Sequence, residues 1–226
     1  MDPQASPAAQ PHEPSSSQTR QRLLDAAEVL FSERGFRGAS VRDITQEAGC
    51  NLAAVNYHFG GKVNLYREVV LRRMALLRAG RIGAVQRAME RAGGEASLEE
   101  LLRSFSVAFL EPLVTSDAGR RWMNLMTREM LDPQLPSDLF YNEMTLPVRR
   151  ELVSAMQRLF PALGDDAADL CMQSLVAQLV HVERMQRSAQ RAPDSELARY
   201  SVQGMLEHVV RFTAAAVRAV AAEVPA

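Results

Sequence analysis

The chain has 226 residues and a formal net charge of −1. That length allows one small domain and one larger one, and that charge excludes a protein that coats nucleic acid everywhere, so any hold on DNA must come from a local patch. Hydrophobic residues make up 47% of the chain, enough for a full core. Residues 1 to 18, MDPQASPAAQPHEPSSSQ, are Pro, Ser and Ala without apolar periodicity, the composition of a disordered tail. The start lacks a basic segment followed by an apolar run, and no apolar stretch is long enough to cross a bilayer, so a cytoplasmic protein without membrane contact is expected.

From Thr19 onward the patterns are helical only. A first helix is predicted from about Thr19 to Arg34, with Leu23, Ala27, Leu30 and Phe31 on one face and Gly35 as its stop. Ser40 and Asp43 form a Ser-x-x-Asp start that caps a second helix reciprocally, and Val41, Ile44 and Ala48 recur on its apolar side. Gly49 ends it with the residue type that best tolerates the left-handed conformation. Cys50 and Asn51 then lead into a third helix whose Leu52, Val55 and Phe59 are expected to face inward and whose Ala53, Ala54, Asn56 and Tyr57 face outward. Small residues flanking an Asn and a Tyr suit close entry into a major groove; an ordinary helical hairpin is the alternative.

Lys62 is the only lysine in the chain. It stands after Gly60-Gly61 at the start of a fourth helix, where the helix dipole mildly disfavours a cation unless an anion is bound. A phosphate clamp of Gly61 and Lys62 is therefore expected, against the alternative of a solvated surface lysine. Ser40 and Tyr57 offer hydroxyls to phosphates, and Arg42 can reach a phosphate or a guanine edge. Asn56 can pair with adenine, and Ala53 allows close approach. His58 either donates to a phosphate or covers the edge of Phe59. Arg20 and Arg22 either graze the DNA backbone or are solvated.

The fourth helix carries Leu65, Val69, Met74, Leu77, Ile82 and Val85 towards Gly93-Gly94 and links the DNA-reading unit to the rest, a natural lever. Ser97 to Thr115, Asp117 to Leu131, Ser137 to Phe160, Asp165 to Gln190 and Ser195 to Glu223 give five more segments with apolar faces, and Pro112 and Pro147 should kink or split theirs. Phe105, Phe109, Trp122, Met123, Met126, Met130, Phe140, Tyr141 and Met144 gather aromatic and thioether groups, the wall of an adaptable apolar pocket for a small effector or simply core. Glu129 is its first polar candidate, followed by His181 and Arg128. In the last two segments Leu170, Leu175, Val176, Leu179, Val180 and Val182, then Met205, Leu206, Val209, Val210, Phe212 and Val217, make arcs wider than a one-sided helix needs. Residues of about 165 to 223 can form a four-helix interface with a twofold mate, or a monomeric core. A dimer implies a palindromic target.

Cys50 and Cys171 lie far apart, so no structural disulfide is expected. His12, His58, His181 and His208 have no metal-ligand spacing with them, and no phosphate loop or nucleophile grouping appears. Neither cofactor nor metal is expected, and an enzyme is the least favoured reading.

Thr19-Arg20, Ala26-Ala27, Leu30-Phe31, Gly35-Phe36, Ser40-Val41, Ile44, Ala48-Gly49, Tyr57-His58-Phe59 and Lys62 together resemble the amino-terminal domain of TetR-type transcriptional regulators. Asn56 stands where that family often has Tyr, and Gly60-Gly61 replaces its commoner turn, so base contacts do not carry over. Arg128-Glu129-Met130-Leu131-Asp132-Pro133 resembles the carboxy-terminal domain of the CecR-type branch. The resemblance implies an all-α chain with a three-helix DNA-binding domain at 19–66 and a regulatory and dimerisation domain at 67–226. It also implies a phosphate role for Lys62, dimerisation through the last two long helices, and a repressor released by an apolar or amphipathic effector. A DNA-binding adaptor whose core binds a protein is the alternative.

Overall fold

The computed structural model describes residues 15–91, 96–194 and 196–222. It is all-α, and it divides after Val69 into two compact units. Most of the expected tail lies outside the described residues, but its last four residues do not belong to a tail. Ser15 accepts from Gln18 N at 3.2 Å while its own N–H donates to Gln18 Oε1 at 2.9 Å, a capping box that starts α1 (Ser16–Gly38) three residues before the expected Thr19.

The first unit is built around α1, which buries Leu23, Leu24, Ala27, Leu30 and Phe31. Its helical path breaks at Gly35, φ 73°. α2 (Val41–Glu47) and α3 (Ala54–Phe59) both pack on it. Phe31 and Phe36 each meet the buried Tyr66 edge-on, with centroids 5.0 and 5.2 Å apart. Tyr66 lies in α4 (Lys62–Arg91), which continues past Val69 into the second unit.

The second unit is organised around α5 (Leu98–Val114), which packs against α6 (Asp117–Leu131), α7 (Leu146–Leu159), α8 (Asp165–Arg191) and α9 (Val202–Ala222). Ser97 caps α5 through Glu100, and Leu101, Leu102, Phe105 and Leu110 are fully buried along it. Each such side chain contributes about 1.5–3 kcal/mol by leaving water. Pro112 lies inside α5, which continues two residues beyond it. The segment expected as one helix over Ser137 to Phe160 divides: a π-helical turn covers Tyr141–Thr145, and Pro147 opens α7, where its missing N–H costs nothing. A 3₁₀ turn, Glu196–Arg199, precedes α9. Two bidentate pairs, Arg103–Glu207 at 2.8 and 2.9 Å and Arg218–Glu99 at 2.7 and 2.8 Å, tie α5 to α9 in antiparallel sense.

Candidate nucleic-acid interface and core cavity

At the start of α2, Asp43 N donates to Ser40 Oγ at 3.1 Å, and the Ser40 N–H and O–H both donate to Asp43 Oδ2, at 3.1 and 2.7 Å. These bonds, with Arg34 and Arg42 nearby, hold the Asp43 carboxyl below its ordinary value of 3.8. A depressed carboxylate contributes its cap fully above that ordinary value and loses it as pH falls through the folded one. The turn follows at Gly49, φ 59°, a left-handed position that suits glycine. Arg22 Nη2 donates to Gly49 O at 2.9 Å, sealing the turn against α1. Asn51 Oδ1 accepts from Ala53 N at 2.9 Å, and α3 starts only at Ala54.

That delayed start corrects one expected inward residue. Val55 and Phe59 are buried, but Leu52 is 58% exposed, because the Asn51 turn carries it out of the helical register that would have placed it under α3. Like Arg42 of α2, Leu52 is thus exposed together with Ala53, Asn56 and Tyr57. Its apolar tip is of the kind that contacts a thymine methyl. Ser40 is exposed, but its hydroxyl proton already goes to Asp43. His58 is half-buried with its ring edge-on to Tyr57 at 4.9 Å and tilted to Phe59 at 6.3 Å.

Arg20 and Arg22 both have partners inside the first unit: Arg22 donates to Gly49 O. Arg20 pairs with Glu68 at 2.9 Å and lies over the Phe59 ring at 5.2 Å, so both arginines brace the unit. Lys62 begins α4 after Gly60 and Gly61, both at positive φ. Its Nζ sits 4.4 Å from the centroid of Phe36, and partial burial holds its pKa below the ordinary lysine value. The aromatic seat is cation–π in character and leaves the ammonium's donors free of any protein acceptor among the described residues.

Within the second unit lies a cavity of about 610 Å³, walled chiefly by apolar side chains, inside the usual range for small-molecule sites. Phe105, Phe109, Trp122, Met126 and Glu129 line it, together with Met123, Met130, Phe140 and Met144. Tyr141 and His181 do not. Tyr141 is exposed on the π-helical turn, and His181 falls on the solvent face of α8 beside the buried Val182. Arg128 is also exposed. Glu129 Oε1 accepts from Gln134 N at 2.9 Å and Leu135 N at 2.8 Å, folding the loop after α6 over the cavity wall.

Two charged residues that the sequence reading did not single out take the polar positions. Arg81, 6% exposed, and Glu183, 4% exposed, both line the cavity. The signal was available: Arg81 follows Met74 and Leu77 at helical spacing, and Glu183 follows Leu175 and Leu179, so each puts a charge in an apolar stripe.

Of the apolar arcs on α8 and α9, Leu175, Leu179, Val182, Leu206, Val209, Val210 and Val217 are consumed by the chain's own core, whereas Leu170, Val180 and Phe212 are exposed. Leu170 and Phe212 line a shallow groove that also includes Ala167, Ser174, Ala216 and Val220. Cys50 and Cys171 are free thiols. Among the described residues no cluster could hold a metal ion, and no helix is long and apolar enough to cross a membrane.

Residues 23–69 match the family model described as bacterial regulatory proteins, tetR family, and residues 98–217 match the HTH-type transcriptional dual regulator CecR, C-terminal domain. The chain is 25% identical over 163 residues to the HTH-type transcriptional regulator BetI of Vibrio vulnificus, covering 70% of this chain and 75% of that one. It is 41% identical over 51 residues to the HTH-type transcriptional repressor KstR2 of Rhodococcus jostii, covering 23% of this chain and 25% of that protein. The chain thus spans only about a quarter of KstR2, as it does of several other curated relatives. A transcriptional regulator from Saccharomonospora viridis, solved in complex with choline, shares the fold at TM-score 0.60 and 22% identity, over 87% of this chain and 95% of that one. With a helix-turn-helix unit at residues 23–69 and a CecR-type domain over more than half its length, the chain belongs to the TetR family of DNA-binding transcriptional regulators.

Proposed function

We propose that the protein is a homodimeric repressor that binds a palindromic operator in the cytoplasm and releases it when a small apolar or amphipathic effector enters the second unit. The observation that carries this reading is the path of α4. One helix begins at Lys62, directly after α3 and the Gly60-Gly61 turn, and then supplies Val70, Met74 and Arg81 to the cavity wall. An effector that prefers one conformation of that wall shifts the population by its differential affinity, and α4 transmits the shift. Leu170 and Phe212, exposed beside small residues, support a twofold interface of α8 and α9. The choline bound to the Saccharomonospora viridis protein supports occupation of this fold by small molecules.

Genomic fragments retained by the full-length protein test the reading. They should share an imperfect palindrome protected in two successive major grooves, and members of a chemical library should release them. Protection of a single half-site, or retention that no compound disturbs while a protein does, would overturn the dimeric sensor in favour of an adaptor.

Within this reading Ser40, Arg42, Ala53, Asn56, Tyr57, His58 and Lys62 form the DNA face, with Lys62 as the phosphate clamp. Lys62→Ala is expected to weaken binding to every sequence and to lower the salt slope by about 1 for each phosphate that is no longer neutralised. A titration of affinity against salt concentration measures this, and an unchanged slope would refute the clamp.

A further inference from the structure

Among the described residues, the cavity holds one charge that no opposite charge answers. Glu183 gives Oε1 to Arg187, and Glu129 takes the backbone N–H groups of Gln134 and Leu135. Arg81 has no such balance. Its guanidinium lies over the Phe109 ring at 3.9 Å, and Nη1 reaches the Met144 sulfur at 3.7 Å, a weak acceptor. Its Nε, fully buried, has no hydrogen-bond partner among the described residues. Burial pushes its pKa down to about 10, which still leaves it charged at neutral pH. A buried guanidinium without a counter-charge is costly, and its planar fork matches a carboxylate or similar oxyanion.

We propose that the effector is an amphipathic organic anion whose apolar body fills the aromatic and methionine-lined cavity and whose head hydrogen-bonds Arg81, an assignment that rests on the cavity being the effector site. The second orphan atom, Glu183 Oε2, accepts from a hydroxyl or N–H elsewhere on the same molecule. The apolar wall sets size and shape, while Arg81 sets the sign of the charge.

Calorimetry on the full-length protein with three probes of one chain length, decanoate, decan-1-ol and decyltrimethylammonium, tests the assignment. Decanoate should bind roughly tenfold or more tighter than the alcohol, as a charge-assisted hydrogen bond requires, and the ammonium more weakly still. Arg81→Met should erase the preference while keeping or raising the melting temperature, because it removes a buried unpaired charge; Arg81→Lys should retain part of it. Tighter binding of the ammonium, binding of none of the three, or a preference that survives in Arg81→Met would overturn the proposal. The sensor reading is scored separately, by release of retained operator DNA. Release by cationic or neutral library compounds alone would sink the anion and leave the sensor standing.

Discussion

Truncating Phe31 to alanine is expected to abolish DNA binding by unfolding the first unit, at a cost of about 3–5 kcal/mol. The ring is fully buried, stacks against Phe36 with centroids 6.1 Å apart and meets Tyr66 edge-on at 5.0 Å. Each such aromatic pair adds about 0.5–1.5 kcal/mol beyond its buried area. A unit this small has little reserve, so removal of one ring consumes much of its stability. The damage also reaches the proposed DNA face, because the same cluster seats Lys62 on Phe36. Thermal melting followed by circular dichroism, with operator binding in parallel, checks this. A variant that melts like the parent and still binds would show that the cluster is not the keystone of the unit.

Gly119→Ala is expected to destabilise the second unit by about 1–3 kcal/mol, the usual cost of overpacking, although alanine is the better helix former by about 1 kcal/mol. A Cβ at this position would lie 2.8 Å from Leu113 Cα and 2.9 Å from Leu113 O, and nearer still to the Pro112 carbonyl. These are backbone atoms, which cannot swing aside. Ser116 fixes the crossing by donating to Pro112 O and accepting from Gly119 N, each at 2.9 Å. The start of α6 must therefore move, and with it Trp122 and Met126 on the cavity wall. The expected result is a lower melting temperature and weaker uptake of cavity probes, with operator binding retained when no probe is present. A melting temperature equal to or above that of the parent would show that propensity wins over the clash.

Much of the fold was legible because it is written locally. Ser40 with Asp43, Ser97 ahead of Glu100 and Gly49 after α2 mark boundaries that the structure keeps, and Asp117–Leu131 falls where its apolar spacing put it. Misreadings came where a local rule had two solutions. The box of Ser15 and Gln18 was hidden in a Ser-Ser-Ser-Gln run that composition alone assigns to a tail. The side-chain turn at Asn51 delayed α3 and turned Leu52 outward. Elsewhere the missing information was tertiary. The Phe36 seat under Lys62, the bracing of Arg20 by Glu68 and the convergence of Arg81 with Glu183 on one cavity join residues far apart in the chain. The wide apolar arcs of α8 and α9 suggested surplus for a partner, yet most of them close the chain's own core and leave Leu170, Val180 and Phe212 exposed.

The solitary ammonium of Lys62 over the Phe36 ring makes this chain its own reporter. Reductive methylation with a ¹³C-labelled reagent keeps the charge and modifies a single side-chain amine, because the sequence has no other lysine. The resulting methyl resonance carries the ring-current signature of Phe36, and it reads displacement from that aromatic seat directly, at one site, without any engineered label.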